Sequence, residues 1–226
     1  MFSAWESGVW KAIHERVRPD IVVGASAGAF NGWAIAGGCT PEELIQDWLD
    51  PRTAAILSPG LTLGGLMRPE PLHLKAQEMF KRYSPRMRFG LTVVEVPRMR
   101  VRLICDGDVT WRHLAATCAI PVVFPPVRIS GRTYVDGGLL GALPLWAAEE
   151  MGATRAIALD ALAFPPFRTV RRIIRPRAPS AALEVIPIEP SSRLGSIIDM
   201  IRWSRPNIER WIEMGERDGH DALSRV

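Results

Sequence analysis

At 226 residues, with 47% hydrophobic and 23% charged residues, the chain has the composition of a folded globular protein rather than a disordered or fibrous one. Its length allows one well-packed core, and a single domain over 1–226 is expected. No apolar run approaches the ~18 residues of a membrane span, and Met1-Phe2-Ser3-Ala4-Trp5-Glu6 lacks the basic and apolar blocks of a signal peptide.

The net charge of +4 is mostly arginine. Arg168, Arg171, Arg172, Arg175 and Arg177 lie close together among Val170, Ile173 and Ile174. Such a mixture suits an anionic lipid surface, a nucleic acid, or a solvated loop of pairing arginines. Cys39, Cys105 and Cys118 are few, odd in number and widely spaced, which predicts buried thiols in a reducing, cytoplasmic compartment. No Cys/His cluster has metal-ligand spacing, so no metal is expected.

In chain order, residues 8–13 predict a helix that ends before Pro19, and Ile21-Val22-Val23 a short strand. A turn follows, then a helix over 27–36 stopped by Gly37-Gly38. Thr40-Pro41-Glu42-Glu43 carries a threonine N-cap, a proline at the first position and an acidic residue at the third, and so starts a helix running to Leu49. Residues 58–71 are rich in Gly and Pro and predict a loop, and 72–83 a helix. Two strands are expected at 88–95 and 100–105, turning at Pro97. After a helix over 111–118, the prolines of 120–126 forbid regular helix. Ser130-Gly131-Arg132 is a hairpin turn. A helix over 143–151, closed by Gly152, precedes a buried strand at 156–160, a strand at 183–188, and helices at 194–203 and 206–214. The alternation predicts an α/β sheet covered by helices on both faces.

Gly24-Ala25-Ser26-Ala27-Gly28 sits between the first strand and its helix, which is the local context of a nucleophile elbow. The turn must be sharp for the serine hydroxyl to stand clear of the sheet. Gly24 and Gly28 occupy positions where a side chain would crowd strand or helix, and the helix N-terminus turns N–H groups and a positive dipole end toward the serine. The same pentapeptide also fits a tight turn with a capping serine. A serine nucleophile needs a base. Of the four histidines, only His220 has the chain order of a Ser-Asp-His triad, and it lies in a polar C-terminal stretch. Asp136 follows a short apolar strand and precedes Gly137-Gly138, whose freedom permits close backbone approach. It could reach the serine from a neighbouring strand end, or simply form an Asp-Gly turn.

Read together, these segments resemble the patatin-like phospholipase family. The elbow region 18–29, the segment 115–127 and the aspartate hairpin 131–138 all correspond, as do Leu143-Pro144, Gly152-Ala153 and Ala156-Ile157-Ala158, and the resemblance covers roughly residues 4–160. It implies a three-layer α/β/α fold and a Ser26-Asp136 dyad that hydrolyses carboxylic esters of phospholipids or acylglycerols. Ser26 would attack the acyl carbonyl, Asp136 would take its proton, and an acyl-enzyme would form. Ala27 N–H would serve as one oxyanion donor, and no metal or organic cofactor would be needed. The expected partner is a lipid substrate, with peripheral contact to an anionic membrane and no nucleic acid. Residues 61–67 and 164–174 are candidate lipid-facing segments. The family also carries a first strand and a Gly-rich oxyanion loop; by this resemblance Met1 falls inside or just after that loop and Ser3 stands where the last glycine is usual, which fits either a start that lies further upstream or a true truncation. The alternative expectation is a non-catalytic member that binds lipid or a partner.

Overall fold

The computed structural model describes residues 1–62, 64–169 and 177–224. Its central sheet is organised around β4 (Arg88–Val96), whose residues are buried along almost their whole length. The hairpin partner β5 (Arg100–Cys105) runs antiparallel along one edge, pairing Gly90 with Cys105 and Glu95 with Arg100. The other edge is shared by two shorter strands. β1 (Ile21–Gly24) pairs in parallel with the first half, ending at Gly24 opposite Leu91. β7 (Arg132–Asp136) pairs antiparallel with the second half, ending at Asp136 opposite Val93. Two strands thus run toward each other along one edge of β4, and their C-terminal ends meet beside Thr92. β6 (Val127–Ile129) completes the sheet as the hairpin partner of β7. The turn between them places Ser130 at φ 48 and Gly131 at φ 79, the two left-handed positions a tight hairpin demands.

Helices cover both faces. On one side, α2 (Ala27–Ala36), α4 (Pro69–Arg82) and α5 (Trp111–Thr117) close over Phe89, Leu91 and Val93 in a core that includes Trp33, Met79 and Leu114. On the other, α6 (Leu145–Glu150) is followed by Met151, whose sulfur lies against Gly90. A second core joins α1 (Ser3–Ile13) to the long C-terminal α8 (Arg205–Leu223) through Trp5, Val9, Ile208 and Trp211. Trp5 Nε1–H donates to Asp218 at 2.7 Å, and Trp211 Nε1–H to Leu194 O at 2.7 Å. Between these groups, α3 (Pro41–Leu49) begins with the capping box that Thr40 and Glu43 encode.

Three elements differ from the sequence expectation. Within residues 58–71, β2 (Pro59–Thr62) and β3 (Gly65–Met67) form an antiparallel pair, and α4 already starts at Pro69. The backbone of β3 is held by the proline-rich segment opposite: Leu66 and Met67 N–H donate to Val122 O and Val123 O. Strand β8 (Arg155–Leu159) forms close to the expected position, but only Ala158 in it is buried, and it pairs in parallel with β9 (Glu184–Ile188) in a separate two-stranded sheet. The stretch holding His220 is the last turns of α8, because its apolar face packs on α1. A short α7 (Ile197–Ile201) precedes it, opened by a Ser196 capping box.

Among the cysteines, Cys39 is buried while Cys105 and Cys118 are half-buried, and all are free thiols. Arg168 pairs with Glu189 at 2.8 Å; Arg177 pairs with Glu150 at 2.9 Å and stacks over Trp146. These two follow the pairing-arginine expectation, while Arg171, Arg172 and Arg175 lie outside the described residues. No described helix is long and apolar enough to cross a membrane.

Candidate active site

The meeting of β1 and β7 decides the site. Ser26 follows β1 directly, at φ 54 and ψ −135, a strained conformation that no strand or helix contains. The strain turns the chain from strand to α2 within a residue. Gly24 is obligatory there: a Cβ would stand 2.6 Å from Ala29 N and 2.7 Å from Ala29 Cα, with no side chain able to yield. Gly28 is under less constraint, because a Cβ would meet only the Glu6 carboxylate, at 3.3 Å. Ala27 opens α2, so its N–H is among those with no intrahelical acceptor.

Asp136 ends β7 from the opposite direction. Its Oδ1 accepts from Gly138 N–H at 2.6 Å, fixing the carboxylate in an Asp-Gly-Gly turn. The other oxygen, Oδ2, accepts from Ser26 Oγ–H at 2.6 Å. The turn lies hard against β4: a Cβ on Gly137 would be 2.0 Å from Thr92 O. Thr117, the last residue of α5, ties the pieces together. Its hydroxyl donates to Thr92 O at 2.8 Å and accepts from Ser26 N–H at 2.9 Å, latching elbow to sheet.

Burial tunes the carboxyl groups. Asp136 is 4% exposed, and desolvation pushes its pKa from 3.8 up to about 7, against the pull of the Ser26 and Gly138 hydrogen bonds. A carboxylate of that basicity, in contact with a serine hydroxyl, can take its proton near neutral pH. Desolvation likewise raises Glu6 to about 7, opposed by hydrogen bonds from Asn31 and Ser3. Glu6 accepts from Ser3 Oγ at 3.2 Å and from Asn31 Nδ2 at 3.0 Å, while Asn31 Oδ1 accepts from Trp48. Cys118 sits beside the pair; burial raises its thiol well above the usual value, so it stays protonated.

Ser26 and Asp136 open into a cavity of about 440 Å³. Its lining draws on both hydrophobic cores: Leu44, Leu72 and Phe124 belong to the first, and Phe2, Leu159 and Phe167 belong to or pack against the second. Such a slot accommodates an aliphatic chain with its polar end at the serine. None of the four histidines lines it, and His220 is exposed on α8, so the triad alternative has no geometry to support it. Of the segments expected to face lipid, Phe164 is buried in the second core, Phe167 lines the cavity and Leu66 is exposed. Val170, Arg171, Arg172, Ile173 and Ile174 lie outside the described residues.

Sequence reasoning did not single out Thr117, Glu6 or Asn31. A threonine at a helix end and a glutamate on an amphipathic helix carry no local mark of their role; only the approach of distant elements reveals it.

Fold and site define a three-layer α/β protein that presents a serine on a strand-to-helix elbow, against a buried carboxylate, at an apolar cavity. The chain belongs to the patatin-like phospholipase family, a family of lipid hydrolases, whose model matches residues 1–149. Among solved structures it is similar to VipD from Legionella pneumophila, at 12% identity and a TM-score of 0.55, covering 99% of this chain and 65% of that one. It is also similar to the type III effector protein ExoU, at 13% identity and a TM-score of 0.43, covering 99% of this chain and 51% of that one. The chain therefore spans less than two thirds of either, and the likeness to VipD bears on the fold alone. No curated protein matches it.

Proposed function

We propose that this chain hydrolyses carboxylic ester bonds of phospholipids or acylglycerols through a Ser26-Asp136 dyad. The observation that carries the reading is the 2.6 Å contact between Ser26 Oγ and Asp136 Oδ2 in the lining of an apolar cavity. Asp136 accepts the Ser26 proton as Oγ bonds to the acyl carbon. The carbonyl oxygen becomes an oxyanion, which Ala27 N–H and the positive end of α2 stabilise. Collapse breaks the ester C–O bond; the departing alkoxide takes the proton from Asp136, leaving an acyl-enzyme. Water then loses a proton to Asp136 and attacks the acyl carbon. Breaking of the Oγ–acyl bond returns that proton to Ser26 and frees the fatty acid. The cycle closes without a cofactor.

Labelling the purified chain with a fluorophosphonate, and mapping the modified residue by mass spectrometry, tests this. Modification at Ser26, lost in Ser26→Ala, is the expected outcome. A folded chain that stays unlabelled would refute the mechanism and leave a lipid-binding, non-catalytic member of the family.

A further inference from the structure

Two stretches of the cavity lining continue along the chain into apolar side chains that lie open to solvent. On the first, Ile120 and Pro121 line the cavity, and Val122 follows them with 70% of its surface exposed. Val122 stands at φ 70, a left-handed conformation that is strained for a β-branched residue and natural for glycine. Exposure and strain thus coincide at one residue. Leu66, 54% exposed, is fastened beside it by the hydrogen bond from Leu66 N–H to Val122 O, 2.9 Å.

On the second, Met200 and Ile201 of α7 line the cavity. Ile197 and Ile198, four and three residues earlier, share the Ile201 face and are 53% and 66% exposed. An apolar stripe therefore runs from the cavity edge out into solvent. Of the six large apolar residues that stand exposed among the described residues, these are four. Scattered singly they would need no explanation; that all four follow on, by chain or by one hydrogen bond, from residues lining the same cavity marks them as an interaction surface. Arg68 and Arg202 stand exposed beside them. Asp199, the carboxylate of α7, is turned back onto Ser196, accepting from its N–H and its hydroxyl at 2.8 and 2.7 Å.

We propose that this rim, Leu66 and Val122 on one side and Ile197 and Ile198 on the other, inserts into the surface of a lipid bilayer. The cavity mouth would then face the acyl layer, with Arg68 and Arg202 level with the lipid phosphates. The occupant follows from continuity: under the lipid-hydrolase reading, on which this inference rests, the stripe leads directly into the space that receives the acyl chain. An acyl chain that passes from bilayer to cavity along an apolar rim never exposes its methylenes to water.

The test is co-sedimentation of the full chain, carrying Ser26→Ala so that vesicles are not consumed, with vesicles of phosphatidylcholine and phosphatidylglycerol. Val122→Gly combined with Ile198→Ser should lower the partition coefficient at least about tenfold. Val122→Gly suits the left-handed backbone, so thermal melting should show the variant folded. Met99→Ser, at an exposed methionine in the turn between β4 and β5, should bind like the parent. Equal binding by all three, or none by the parent, would overturn the proposal. So would sedimentation velocity showing that the rim instead joins two copies of the chain and that the double variant only separates them. Vesicle binding that is kept while Ser26 fails to label would sink the hydrolase mechanism and not the membrane surface; labelling without vesicle binding would do the reverse.

Discussion

The ionisation of Asp136 couples the mechanism to pH in a way that separates activity from stability. In the proposed mechanism Asp136 is the base and must be ionised, and burial holds its carboxyl at about 7 rather than at 3.8. Each pH unit below 7 therefore lowers the reactive fraction about tenfold, equivalent to about 1.4 kcal/mol. The second-order rate of Ser26 phosphonylation, read by gel fluorescence between pH 5.5 and 8.5, should fall about tenfold from pH 8 to pH 6. Stability should move in the opposite direction. A carboxyl whose folded pKa stands above its unfolded value contributes stability that is present in full below the unfolded value and is lost as pH rises through the folded one. For Asp136 that window runs from 3.8 to about 7, and for Glu6 from 4.5 to about 7. Together they should cost the folded state a few kcal/mol, on an order-of-magnitude basis, between pH 4.5 and 7. Urea unfolding across that range should report it. A labelling rate that is flat to pH 5.5 would refute the reasoning, because an Asp136 near 3.8 would already be ionised throughout.

Asp136→Asn keeps the shape of the turn while removing the proton acceptor, so labelling at Ser26 should drop by about 10²–10⁴ with the fold intact by circular dichroism. Thr117→Val removes the acceptor of Ser26 N–H and the donor to Thr92 O; it should cost about 1–3 kcal/mol in denaturant unfolding and slow labelling, while Thr117→Ser restores both. Gly137→Ala forces the backbone of the aspartate turn off β4, because its Cβ would lie 2.0 Å from Thr92 O; loss of thermal stability together with labelling is expected, and a melting temperature within a degree or two of the parent would contradict the close approach.

Several elements were legible because each is governed by residues within a few positions. Gly24 and Ser26 mark a sharp strand-to-helix turn; Thr40, Pro41 and Glu43 encode a helix start that forms as a capping box; Ser130-Gly131 supplies the left-handed pair of a hairpin. Residues 58–71 misled, because glycine and proline do not report that Val122 and Val123 carbonyls wait to pair with Leu66 and Met67. His220 looked like a tail residue, because the buried face of α8 is recognised only once α1 lies against it. Strand periodicity at 155–159 likewise says nothing of which partner the strand finds.

By itself, the sequence determined the turns, caps and apolar runs, and through its motifs the family, since these depend on neighbouring side chains and on backbone sterics. The family resemblance implied the pairing of Ser26 with Asp136, 110 residues apart; only the tertiary structure decided how they meet, where two strands converge on one edge of β4. It also decided that Thr117 latches the elbow, and that burial raises Asp136 to about 7. Desolvation and long-range approach are properties of the packed chain, and no local window of residues contains them.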